Sequence, residues 1–343
     1  MRKFKIVKVC TTSLGRFRLV SLSFALTIMT NAGLVGCDRL THPSAEQVAL
    51  HTMKATADGL TKESLHIRYF GATTIQIDDG NTALMIDGFF SRPGLAQVLF
   101  GEISPDIDRI NYAFAKGDVG NLAAVLVAHS HYDHAMDSAF VAVRTNAVLV
   151  GSKSTAKIGQ GQGLPDNRIV EVNHRDKLRY GDFIVEIFES PHSADPWFSE
   201  DIDQTLQPPA RVGQYRAGRN YSFLIRHQWG TVLIHPSANF SPSLFENIES
   251  DVVFLSLGTL GSQSECFAEE YWRSVVLATK ARLVIPIHWD DLFRPLDEPL
   301  LPMPYLVDDF TGGYKTLLRM GERDGISIQF MPLFQPFDLK AFQ

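Results

Sequence analysis

The stretch from Leu122 to Asp137, LAAVLVAHSHYDHAMD, decides how this chain is read. An apolar, β-branched segment runs directly into His129, His131, Asp133 and His134, so a strand delivers four potential ligands to one turn. Side chains alternate along a strand; His129 and His131 therefore face one point, and Asp133 and His134 curl past it. Only 11 of the 343 residues are histidine, so three of them in one HxHxDH pattern argue for a shared task rather than scattered polar positions. Neutral imidazoles with a carboxylate suit zinc, which needs three or four such donors around one ion.

Two more histidines stand where strands run out, His192 in IVEIFESPHS and His288 in RLVIPIHWDD. With the cluster, they are expected to converge on one sheet edge. His42, His51, His66, His174 and His227 are single histidines without such company and are read as having no ligand role.

Short β-rich segments surround the cluster. SLHIRYFG and TTIQIDDGNTALMID read as strands, with a hairpin turn at Asp79-Gly80; AVLVGS, RIVEV and DFIVEIFES follow. The second half repeats the rhythm with the hairpin NYSFLIRHQWGTVLIH, the strand DVVFLSLG, the helix ECFAEEYWRSVVLATK and the strand ARLVIPIHW. Two strand-rich halves, each carrying helices, imply an α/β fold of two sheets packed face to face with helices outside. Two long non-periodic stretches, residues 91–121 and 193–218, are expected to be loops covering the site, the second carrying Trp197 and Phe198.

The composition, 45% hydrophobic and 20% charged, is that of a well-packed globule, and a net charge of −6 offers no basic field for nucleic acid. The basic residues gather at the start: MRKFKIVKVCTTSLGRFR precedes the apolar LVSLSFALTIMTNAGLVGC, the layout of an export signal. Its ending, Leu34 to Cys37, resembles the lipobox of bacterial lipoproteins, in which the cysteine is diacylated. That resemblance implies a signal peptide over residues 1–36 and lipidation at Cys37; the polar, weakly periodic stretch over 37–62 reads as a tether followed by a short helix, and residues 63–343 as the catalytic domain. Asp38 resembles the signal that retains lipoproteins at the inner membrane, placing the protein on its periplasmic face. With Cys10 removed and Cys37 acylated, Cys266 stands alone and no intramolecular disulfide is expected.

HxHxDH, YFGATTIQIDDGNTALMIDGFFSRP and IPIHWDD together resemble the metallo-β-lactamase fold superfamily over roughly residues 64–335, most of all its lactonase-like branch with phospholipase D-type enzymes acting on N-acylated phospholipids. The resemblance implies a four-layer αββα sandwich. It also implies one zinc on His129, His131 and His192, a second on Asp133, His134 and His288, and an outer Asp87 that orients the metal-binding loop. One feature departs from the family: after GTVLIHPSANF, where most of its hydrolases place a metal-bridging aspartate, this chain has His235 and Ser237. A dinuclear site stays open, with Ser237 in an outer role and His235 as a substitute ligand or a polariser of substrate.

The expected activity is zinc-dependent hydrolysis by metal-bound hydroxide of an ester, lactone, amide or phosphodiester bond, with Asp133 orienting the nucleophile and shuttling its proton. No GxSxG elbow offers a serine route. A small-molecule or lipid substrate is expected, beside a membrane reached through Cys37. The rival readings are a non-catalytic metal-binding scaffold lipoprotein, suggested by the missing aspartate, and a β-lactam hydrolase.

Overall fold

A computed structural model of the chain describes residues 41–53, 63–193 and 199–342. The first sheet contains β1 (His66–Tyr69), β2 (Ile75–Asp78), β3 (Ala83–Ile86), β4 (Ala124–Leu126), β5 (Val148–Gly151) and β6 (Ile169–Glu171). The second contains β7 (Lys177–Tyr180), β8 (Phe183–Glu189), β9 (Tyr221–His227), β10 (Gly230–His235), β11 (Val252–Ser256), β12 (Leu283–Ile287) and β13 (Ser327–Ile328). The chain then returns with β14 (Pro336–Asp338) to the edge of the first sheet, so the strand orders are β14-β1-β2-β3-β4-β5-β6 and β13-β12-β11-β10-β9-β8-β7.

Period-2 alternation builds the layers. In β3, Leu84 and Ile86 point into the space between the sheets, while Ala83 and Met85 point outward to the first helical layer. Likewise in β11, Val252 and Phe254 face the inter-sheet core and Val253 and Leu255 face the second helical layer. Strands buried on both faces read as continuous apolar runs, and β4, β11 and β12 do so because helices cover them. The result is the expected αββα sandwich. The Asp79-Gly80 hairpin forms between antiparallel β2 and β3, with Gly80 at φ 85°, a left-handed turn position open to glycine.

The helices, in chain order, are α1 (Glu46–Leu50), α2 (Leu95–Phe100), α3 (Ile107–Gly117), α4 (Tyr132–Ala135), α5 (Ser138–Thr145), α6 (Lys153–Gly161), α7 (Glu265–Trp272) and α8 (Phe310–Asp324). Two of them correct the sequence reading, since α2 and α3 occupy the stretch over 91–121 expected to be loop. In α3, Ile110, Ala113, Phe114 and Gly117 form one buried face at helical spacing, and the Asp106 carboxylate caps the first turn by accepting from the amides of Asp108 and Arg109. Of the second expected cover, residues 199–218 are largely irregular and pack down through Ile202, Leu206, Ala210 and Tyr215. Trp197 and Phe198 lie outside the described residues.

In the stretch expected to be a tether with a short helix, the helix is α1. Residues 41–53 are docked on the body: Val48 is buried in the second helical layer, Thr52 bridges Phe330, and His42 Nε2 sits 2.9 Å from Asp291 Oδ2. Val48 and Met53 bury apolar surface that a solvated linker would expose. The proposed signal over 1–36 and Cys37 lie outside the described residues. Cys266 is disulfide-bonded, with a partner outside them, so the expectation of a lone thiol fails; the elimination behind it held only for a processed chain, and the whole chain carries all three cysteines. Among the described residues no helix is long and apolar enough to cross a membrane.

Candidate metal centre

The site forms at one edge of the sandwich, where β4, β8 and β12 run out. Beyond β4 the chain stays extended, and His129 and His131 point the same way, with His129 Nε2 3.2 Å from His131 Nδ1. Ser130 points to the other side and hydrogen-bonds within a buried hydroxyl group formed with Ser152 and Thr155. His131 then caps α4, whose first turn carries Asp133 and His134. From the end of β8, His192 places its Nε2 3.1 Å from His129 Nε2. From the end of β12, His288 places its Nε2 3.1 Å from Asp133 Oδ2, and His134 Nε2 lies 3.4 Å from the same oxygen. The six side chains form two triads, His129–His131–His192 and Asp133–His134–His288, each with its ligand atoms within 4.8 Å of one another.

This arrangement fits a bound cation. His129 Nε2 faces two other imidazole nitrogens at once, yet a ring nitrogen serves only one N–H···N bond, so the second contact sets lone pair against lone pair. An ion between them removes the conflict. Zn–N bonds of about 2.0–2.1 Å in a tetrahedron put donor nitrogens roughly 3.3 Å apart, close to the separations found here.

Tautomers agree with that reading. His192 Nδ1 lies 2.8 Å from the Ser193 carbonyl, which can only accept, so the proton sits on Nδ1 and Nε2 keeps its lone pair. His134 Nδ1 lies 2.8 Å from Asp87 Oδ2, which frees Nε2 in the same way. Asp87, fully buried, also accepts from the Ala128 amide and from the Thr73 hydroxyl, and it occupies the orienting place that the family resemblance assigned to it.

Burial and the neighbouring imidazoles push the His129 ring well below its usual pKa, and burial and His131 push His192 down to about 4. Both are neutral, the ligating form, at physiological pH. For Asp133 burial works the other way, raising the carboxyl, but His134, His288 and His131 outweigh it and hold the group well below the carboxylate range.

His235 is not part of the cluster. It is fully buried, its Nδ1 lies 2.7 Å from the Ser222 hydroxyl and its Nε2 2.7 Å from the Asn239 carbonyl, so neither nitrogen is left for a metal or a substrate. Burial pushes it down to about 4. Its work is done through Asn239, whose side-chain amide donates to the His192 carbonyl. Ser237 donates to Asn220, which in turn donates to the carbonyls of Ser190 and Pro191 just before His192. The bridging-aspartate position has become a polar brace for the His192 loop.

A third group, Asp79, Asp182 and His227, gathers at the far end of the sheets. His227 Nδ1 accepts from the Trp229 amide, so the ring is neutral and turns its Nε2 toward Asp79 Oδ2 at 3.3 Å, in line with the absence of a ligand role expected of His227.

The αββα fold and the paired triads at its edge are those of a candidate metal-binding protein. Residues 69–209 match the model of the metallo-β-lactamase superfamily. The chain is 24% identical over 251 residues to a metal-dependent hydrolase of Symbiobacterium thermophilum, covering 72% of this chain and 89% of that one. Igni18, a metallo hydrolase of the archaeon Ignicoccus hospitalis, shares the fold at 12% identity with a TM-score of 0.52, covering 80% of this chain and 98% of that one. A mutant of the CmlA β-hydroxylase, an enzyme of Streptomyces venezuelae, shares it at 18% identity with a TM-score of 0.50, covering 78% of this chain and 52% of that one.

Proposed function

We propose that the chain is a two-zinc hydrolase of an ester, lactone, amide or phosphodiester bond, with His129, His131 and His192 holding one ion and Asp133, His134 and His288 the other. The observation that carries this reading is the meeting of six nitrogen and oxygen donors as two triads at one edge. When bound, such ions lower the pKa of water and polarise a carbonyl or phosphoryl oxygen. The protein supplies the rest. Asp133 offers Oδ2 to His134 and His288, and its Oδ1 is the acceptor that orients the attacking water and takes up its proton. His131, His192 and His288 are half-buried, so the substrate enters on their side, while His129 and His134 close the floor. The 193–218 cover flanks the entrance, since the Ala217 carbonyl accepts from the Ser130 amide inside the ligand turn.

The test is ion counting on the purified full chain, followed by a screen against lactones, phosphodiesters, N-acyl phospholipids and a chromogenic β-lactam. Two zinc equivalents with turnover of one of the first three classes is the expected result. H131A should lose an ion and at least about a thousandfold in kcat/KM; an H131A protein that is fully active ends the proposal.

We further propose export and acylation at Cys37, on the periplasmic face of the inner membrane, supported by the LVGC motif and the basic and apolar residues before it. Thr41, four residues on, is already docked, its carbonyl accepting from the Tyr305 amide, so the link to the anchor spans at most about 14 Å. A thiol carrying an acyl chain cannot also be the partner of Cys266. Peptide mapping of the membrane fraction should find the acyl chains on Cys37; a Cys37–Cys266 disulfide there would exclude them.

A further inference from the structure

His288 reaches the second triad from a backbone conformation that residues with side chains avoid. Its φ is 55°, and Ala72, hydrogen-bonded to it and at 51°, and Arg92, paired with Asp290 and at 43°, lie in the same left-handed region. Such conformations persist only where the surroundings impose them. Here the His288 amide donates to the Ala72 carbonyl at 2.7 Å, and the Ala72 amide donates to Asp290 Oδ1 at 2.8 Å. The Tyr69 hydroxyl donates to the same oxygen at 2.7 Å. Asp290 Oδ2 faces Arg92 Nη1 at 2.7 Å, and that nitrogen also donates to the Asp291 carbonyl at 2.9 Å. Room for the guanidinium exists because residue 71 is glycine: a Cβ there would lie 2.1 Å from Arg92 Nη2.

Both side chains of the Arg92–Asp290 pair are completely buried, and Arg92 Nε and Nη2 have no hydrogen-bond partner among the described residues. An ion pair desolvated to this degree is a poor source of stability, and apolar side chains of similar volume would pack there at lower cost. Its placement supplies another reason for it. Asp290 is two residues beyond His288 and holds, through Ala72, the very carbonyl that fixes the His288 amide.

We propose that Arg92 and Asp290 are positioning residues for His288: the buried pair locks the 288–291 corner against the 69–72 loop, so that His288 Nε2 is aimed at Asp133 before any ion arrives. This rests on reading the second triad as a metal site, and the experiment separates the two ideas. D290N, R92M and the double variant R92M/D290L are made in the full chain. Each is assayed for ion content, for the absorption spectrum with cobalt in place of zinc, and, metal-free, for hydrogen exchange over residues 284–292.

The expected result for the single variants is retention of the first ion, at least tenfold weaker binding of the second with an altered cobalt spectrum, and at least tenfold faster exchange over 284–292. The double variant leaves no charge buried without a partner. It should melt closer to the wild type than either single variant yet still lose the second ion, a split that a purely structural role would not produce. A double variant with two tightly held ions and wild-type exchange overturns the proposal. Should the wild type hold only one ion, the metal reading of the second triad fails, and the metal-free exchange still decides the clamp: faster exchange in the variants supports it, unchanged exchange overturns it.

Discussion

The His129–His131–His192 triad is made of imidazoles alone, whereas Asp133–His134–His288 contains a carboxylate and leans on a second one, Asp87. Protonation separates them further. Burial leaves His129 and His192 with depressed pKa values, but in His134 the same desolvation is outweighed by Asp87 and Asp133, which raise it above the usual histidine value. The supports differ as well. The His192 ring is oriented by the next residue's carbonyl, and its loop by the His235–Asn239 brace, while His134 is tied to a buried aspartate that two other groups hold in place. One site is thus assembled from neutral donors on a braced loop, the other around anionic charge on a rigid floor. The first meets no competition from protons near neutrality; the second draws a cation with its negative charge and meets competition from protons at a higher pH than the first.

The largest effect that would sharpen this contrast is loss of the Asp133 charge. D133N keeps the shape while removing the anion and the proton acceptor; kcat should fall by about 10²–10⁴-fold and the ion count should drop from two to one. An enzyme that keeps both ions and near-normal kcat would show that the carboxylate is dispensable, and the two triads would then be equivalent. Acidification offers a second test. The raised pKa of His134 means that, as pH falls, protons reclaim its Nε2 first, while His192 is not protonated until pH approaches about 4. The second triad should therefore release its ion at the higher pH. Dialysis against a pH series with ion counting reads this directly, and simultaneous release of both ions would break the comparison.

How far these features could be seen in the sequence depends on how local their physics is. HSHYDH and the strand-end His192 and His288 were legible because a strand feeding a ligand-rich turn writes both partners into a few residues, whereas Asp87 was reached only through the family resemblance. The two sheets were legible for the same reason, through period-2 alternation. Helix α3 carried a signal that was passed over: Asp106 followed by Ile110, Ala113, Phe114 and Gly117, an N-cap and an apolar stripe behind a proline. Docking of residues 41–53 was hidden because Val48 and Met53 are too few to set a period, and their partner Phe330 is distant in the chain. Nothing local marks Arg92 as the partner of Asp290, and nothing in GTVLIHPSANF says that both nitrogens of His235 are already taken. Contacts between distant residues without periodicity become visible only once the fold brings them together.

The smallest effect concerns the buried support beneath His134. In D87N the side chain keeps its volume, and its amide oxygen can still accept from His134 Nδ1, so the ring need not turn. What is lost is the negative charge that raises the ring's basicity and pairs with it at 2.8 Å. Outer-shell changes of this kind typically weaken metal binding by about 10–100-fold. Weakening confined to the second ion, with the first held as in the wild type, is the expected result in a chelator titration of the two-ion protein. The pH of second-ion release should also fall toward that of the first, because a His134 without Asp87 loses the contribution that lifts its pKa most. Equal weakening of both ions would mean that Asp87 supports the whole edge through the Ala128 amide rather than His134 in particular, and that the contrast between the triads lies in their charge and not in how each is held.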